Sequence, residues 1–211
     1  LEEQSIMSRN NPSKEHITVR RTYALLRGAF LKELSMLPLE QITLTEICNT
    51  SLVSRSTFYR YFEDKYDLLH YCLLSLIEEV GLTEEVISLQ NIDSLKNFLT
   101  ILIEHISENK IQYQKIYQAN KDGDLIRILR KGLQDILSDK LRSAEENGYH
   151  AKIASPIFSS MLGDLFFSII KCYLEEADQF DTETFIENVS LFIRRDFFEP
   201  ISQTPVHTHN Q

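Results

Sequence analysis

Apolar residues recur along this 211-residue chain at spacings of three and four, and sustained alternation is absent, so the pattern predicts helices and no strand. Leu26, Phe30 and Leu34 mark one stripe of a first helix over 17–36, which Pro38 ends. Thr43 and Glu46 have capping-box spacing, in which hydroxyl and carboxylate each serve a free amide of the other. A short second helix therefore opens after Thr43, is anchored by Ile47 and ends near Asn49 or Thr50. Ser54 caps a third helix that closes near Tyr61. Asp64 caps a fourth, with Asp67 at the favourable acidic position in its first turn, and this helix fades near Gly81.

A fifth helix opens at Asp93 or Ser94 and presents Leu95, Phe98, Leu102, Ile103 and Ile106 on one face. A sixth covers 111–118, and Gly123 breaks the chain before a seventh over 124–146 that Asn147-Gly148 stops. The eighth covers 156–176 with proline in its first turn, and the ninth starts at Asp181 or Thr182 and stops before Pro200. The expected fold class is all-α with about nine helices. The expected divisions are a flexible arm (1–16), a three-helix head (17–63), a helical body (64–200) and a disordered tail (201–211).

The eighth helix carries two apolar stripes, one through Ile157, Met161, Leu165, Ile169 and Tyr173, the other through Phe158, Leu162, Phe166, Ile170 and Leu174. A surface helix needs only one, so two stripes predict burial on two sides. One side packs on the body. The other, with Gly163 allowing close approach and Phe185, Val189 and Phe192 of the ninth helix beside it, predicts a four-helix interface in a two-fold homodimer. Asp164 and Lys171 would each cost about 2.5–3.5 kcal/mol near a bilayer centre, so a protein interior is expected for this helix rather than a membrane.

Composition adds limits. With 43% hydrophobic and 25% charged residues the chain resembles an ordinary globular protein, and 6 Gly with 5 Pro are too few for the turns of an all-β fold. The formal charge is -9, yet residues 1–75 balance, so the negative excess belongs to the body. A neutral head on an acidic body can still offer one cationic face to phosphates. Cys48, Cys72 and Cys172 have no paired spacing, which predicts reduced thiols and a cytoplasmic location. His207 and His209 read as solvated. No metal-ligand spacing, Gly-rich phosphate loop or nucleophile motif occurs, so neither an enzyme nor a cofactor is expected.

The chemistry lies between residues 43 and 69. Val53, Phe58 and Phe62 are spaced to fix the third helix from behind, leaving Arg55, Ser56, Thr57, Tyr59 and Arg60 outside. This is the pattern of a helix-turn-helix, whose second helix enters the major groove while the first crosses the backbone. Arg55 near the helix start can bond guanine O6 and N7 together, and Ser56 and Thr57 can meet a base edge or a thymine methyl. Tyr59 and Tyr61 can donate to phosphates. Thr43, Thr45, Ser54 and Lys65 sit at or beside helix N-termini, where free amides favour phosphate oxygens. The expected partner is double-stranded operator DNA.

Residues 17–69 further resemble the DNA-binding domain of the TetR (tetracycline repressor-like) family of bacterial regulators. The resemblance rests on Arg21-Thr22, Ala29-Phe30, the run Ile42 to Ile47, the run Val53 to Phe62, Asp64-Lys65 and Asp67-Leu68-Leu69. It implies an all-α dimer with DNA-reading heads and ligand-binding bodies, and a small effector between helices four and eight. Tyr71, Cys72, Phe98, Leu102, His105, Tyr113, Tyr117, Phe166, Ile170 and Tyr173 are the candidates to meet that effector. The function implied is a sequence-specific transcriptional regulator, a repressor that its effector releases. The chain departs from the family at the turn, where Ser51 replaces an alanine and Leu52 a glycine. A leucine held at positive φ costs roughly 1 kcal/mol or more. The alternative reading is a protein-binding adaptor on the same fold whose head no longer reads DNA.

Overall fold

The computed structural model describes residues 17–82, 92–146, 154–176 and 181–194. Among them are nine α-helices and no strand: α1 (Ile17–Leu34), α2 (Leu44–Ser51), α3 (Arg55–Tyr61), α4 (Lys65–Glu79), α5 (Ile92–Glu108), α6 (Lys110–Asn120), α7 (Asp124–Glu146), α8 (Ser155–Glu176) and α9 (Thr182–Arg194). The arm, the tail and the Asn147-Gly148 stop signal lie outside the described residues.

Local signals set most boundaries. Thr43 completes the capping box, its amide and hydroxyl donating to Glu46 at 2.7 and 2.8 Å while Glu46 donates its amide back. The Ser54 hydroxyl accepts the amide of Thr57, and Asp64 accepts those of Tyr66 and Asp67. Two features escaped the pattern. A 3-10 turn at Leu39–Gln41 follows Pro38, and α1 ends two residues before the expected 36. Pro38 has no amide to offer the Leu34 carbonyl, and the fully buried Asn120 braces both features. Its side-chain oxygen accepts the Leu39 amide at 2.7 Å, and its side-chain nitrogen donates to the carbonyls of Leu34 and Ile116. One side chain thus fastens the end of α1 and the turn to α6, and nothing near residue 38 foretells it.

Two apolar clusters fill the interior. The first holds Leu26, Phe30 and Leu34 of α1 with Leu39, Ile42, Ile47, Phe58 and Phe62, and continues through Leu68, Leu69, Tyr71 and Cys72 of α4 to Ile116 and Leu125. The second joins Phe98, Leu99, Leu102, Ile103 and Ile106 of α5 to Leu133, Leu137 and Leu141 of α7, to α8, and to Phe185 and Ile186 of α9. α8 packs along α7, α9 along α5, and α1 against both α2 and α6. Burying each large apolar side chain stabilises the fold by about 1.5–3 kcal/mol.

α8 is long and apolar enough to cross a membrane by composition alone. In the structure both stripes contribute to the core: Leu162 and Phe166 of one, and Ile169 and Tyr173 of the other, are buried. Ile157 and Met161 are 56% and 63% exposed, and Phe192 of α9 is 59% exposed. Leu165 and Val189 are half-buried against the second cluster. Three residues expected at a dimer face are turned into this chain instead. Ile169 and Phe185 are core, and a Cβ on Gly163 would stand 2.9 Å from Gln134 Cγ. The glycine therefore serves the contact of α8 with α7, which the apolar periodicity could not distinguish from contact with a second copy.

Candidate nucleic-acid interface

α3 is held by its rings. Phe58 and Phe62 are fully buried, Val53 is half-buried, and Tyr23 of α1 packs edge-on to Phe62 with centroids 5.1 Å apart. This places the opposite flank outside. Arg55, Ser56, Tyr59 and Arg60 are exposed, with Tyr59 at 55%, and Thr57 is half-buried. Neither Arg55 nor Arg60 has a carboxylate partner among the described residues. Ser54, Ser56 and Thr57 form one hydroxyl cluster, Ser54 Oγ lying 3.0 Å from Ser56 Oγ and 2.8 Å from Thr57 Oγ1. Thr43 and Thr45 are exposed at the start of α2 on its own capping box. Hydrogen bonds from Thr43 hold the Glu46 carboxyl below the usual range, so this cap stays ionised. Tyr61 is half-buried, its ring tilted against Tyr23 at 5.3 Å.

Lys65 differs from the expectation. Its ammonium donates to three carbonyls, those of Leu39 and Ile42 at 2.8 Å and of Glu40 at 3.2 Å. An ammonium has three N–H groups, and all three are used. Lys65 therefore ties the 3-10 turn to the start of α4 and is not a free phosphate ligand. A lysine beside a helix N-terminus gives no sequence signal of which oxygens it will choose.

Leu52 takes φ 58 and ψ 25 and is the one non-glycine residue with positive φ among the described residues. Its side chain is 92% exposed, so packing does not compensate the strain. The turn keeps its left-handed form. A second pin across the motif is Thr50, whose hydroxyl donates to the buried Glu33 of α1.

Beneath the head lies a cavity of about 170 Å³ bounded by α1, α4, α5, α6, α7 and α8. Of the residues named as effector candidates, Cys72, Phe98, Leu102, Tyr113, Tyr117, Phe166 and Ile170 line it. Three other candidates do not. Tyr71 stacks in the head's ring cluster 4.7 Å from Tyr23, Tyr173 packs on Phe185 and bonds Thr182, and His105 sits behind Tyr113, its Nε2 3.2 Å from that hydroxyl. The periodicity of a helix tells which face is inward but not whether a void or a neighbour lies there. Sequence reasoning also missed Arg27, an α1 residue on the cavity wall. Its guanidinium pairs bidentately with Glu79 of α4, whose carboxyl it holds below the usual range. Burial raises the phenol of Tyr113 and takes the Cys72 thiol up to about 12, so both stay neutral. No cluster of three metal-ligating side chains exists among the described residues, and all three cysteines are free.

No protein-family model matches the chain. Over 101 residues it is 30% identical to the HTH-type dhaKLM operon transcriptional activator DhaS of Lactococcus lactis, a match spanning 48% of this chain and 51% of that protein. The chain thus matches about half the length of this curated relative. Among solved structures, it is similar to the fatty acid degradation regulator FadR of Bacillus halodurans (TM-score 0.55, 13% identity, 85% of this chain and 96% of the other). It is also similar to a putative fatty acid metabolism regulator of Clostridium perfringens (TM-score 0.54, 17% identity, 83% and 100%). The chain has the TetR-like all-α fold, with an N-terminal helix-turn-helix and a C-terminal helical region. By name the curated relative is a transcriptional activator, and the two solved structures are regulators of fatty acid degradation and metabolism.

Proposed function

We propose that this protein is a cytoplasmic, sequence-specific DNA-binding regulator of transcription, a repressor that leaves its operator when a small effector fills the cavity beneath the head. The observation that carries this reading is the flank of α3: two exposed arginines without carboxylate partners beside three hydroxyls, on a helix whose other side is locked by Phe58 and Phe62. Arg55, Ser56 and Thr57 read base edges in the major groove. Thr43, Thr45, Tyr59, Tyr61 and Arg60 set the register on phosphates, and Ser54 caps the reading helix.

The reading assigns residues 17–63 to the DNA head and 64–200 to effector binding and dimerisation. Two copies pair through the outer faces of α8 and α9, where Ile157, Met161 and Phe192 stand exposed and Leu165 and Val189 flank them. A dimer reading one face of DNA needs heads about 34–36 Å apart, or a multiple of that. α4 starts beside α3, packs on α7 and lines the cavity, so a guest that tilts α4 changes the head spacing. The guest acts only through its differential affinity for the two arrangements.

Fluorescence anisotropy with DNA from upstream of the protein's own gene tests this. A saturable rise in anisotropy that competitor DNA of unrelated sequence does not reverse is expected. Equal affinity for every sequence, or none, would favour the adaptor reading. The named relative activates its operon, so transcription from the bound promoter, with and without the protein, decides the sign of regulation.

A further inference from the structure

The cavity beneath the head has a charge pattern that sorts its guests, an inference that rests on the effector role just proposed. Its wall is apolar except for two cations, two phenols and one thiol. Each cation already has a carboxylate. Arg27 is held bidentately by Glu79, and Lys171 lies 4.0 Å from Glu175. Glu175 also accepts the Tyr117 hydroxyl at 2.7 Å. The wall is therefore electrically balanced before a guest arrives. An anionic guest would bring one more negative charge to a site whose formal charges already cancel, and burying an uncompensated charge is costly.

Donors are nevertheless available. Glu79 occupies two of the five N–H groups of Arg27, leaving three for an acceptor. The neutral Tyr113 phenol stands on the same wall. Size supplies the last limit. A cavity of about 150 Å³ takes benzene, so about 170 Å³ suits a single ring or a short aliphatic chain and leaves no interior room for a nucleotide-sized head. We infer that the guest is a small uncharged molecule with an aliphatic or monocyclic body and one hydrogen-bond acceptor, such as a ketone, ester or ether, set toward Arg27 and Tyr113.

Isothermal titration of the full-length protein with 2-octanone, octanoate and octanoyl-coenzyme A at neutral pH tests this. The expected order is 2-octanone binding at least about tenfold tighter than octanoate, with octanoyl-coenzyme A weaker still. Ile170→Trp and, independently, Leu76→Phe fill the cavity, and each should abolish 2-octanone binding while the helical circular dichroism signal and the melting transition persist. Octanoate or octanoyl-coenzyme A binding tighter than 2-octanone would overturn the charge assignment. Absence of binding by all three, in protein that still binds DNA, would overturn the site. Binding of 2-octanone by protein that binds no DNA would sustain the site and refute the regulator reading.

Discussion

α3 and α7 hold their arginines in opposite ways. On α7 Arg127 meets Asp124 at 2.7 Å, Arg130 meets Asp164 of α8 at 3.4 Å, and Arg142 pairs with Asp139. On α3 neither Arg55 nor Arg60 meets a carboxylate among the described residues, although residues 1–75 contain as many acidic as basic groups. The acidic groups of the head are spent elsewhere: Glu46 and Asp64 cap helices, and Glu33 takes the Thr50 hydroxyl. Net charge therefore misleads about partners. An acidic protein keeps a cationic flank because local pairing, not the total, decides what a phosphate meets.

The contrast can be broken in several ways, in falling order of effect. Phe58→Ala removes the buried ring beneath the exposed arginines and should destabilise the protein by about 3–5 kcal/mol, read by chemical denaturation, with loss of DNA binding. Asn120→Ala leaves the Leu39 amide and the Leu34 carbonyl without a partner where the head meets α6, and should cost about 3 kcal/mol in the same assay. An unchanged midpoint would show that the joint is not held there. Leu52→Gly relieves a left-handed leucine that packs on nothing, so the melting temperature should rise by the equivalent of about 1 kcal/mol.

The smallest effect concerns pH. Glu79 has a depressed pKa in the folded state because Arg27 hydrogen-bonds its ionised form. Its contribution is present above the unfolded carboxylate value of about 4.3 and is lost as pH falls through the lower folded value. Glu79→Gln should therefore flatten the acid limb of the stability curve, and an acid limb identical to that of the unsubstituted protein would contradict this.

Much of the scaffold was legible because its signals are local. Thr43-Glu46, Ser54 and Asp64 fix their own helix starts through amides three residues or fewer away, and α7 occupies the span its apolar stripe marks. What sequence missed depends on distant partners. Asn120 reaches 81 residues back to Leu39, Lys65 reaches 26 residues back to the same turn, and Arg27 crosses 52 residues to Glu79. Gly163 was legible as a close-approach site but not as to which helix approaches, since α7 and a second copy demand the same small residue. The cavity was legible only as a set of apolar faces.

The most direct test compares binding of one operator fragment by Arg55→Ala and by Arg127→Ala, using anisotropy over a range of salt. Arg55→Ala should lose about 1–3 kcal/mol of affinity and accept other bases at one operator position, while Arg127→Ala should bind as the unsubstituted protein does. Equal behaviour of the two variants would mean that the exposed flank of α3 does not lie against DNA.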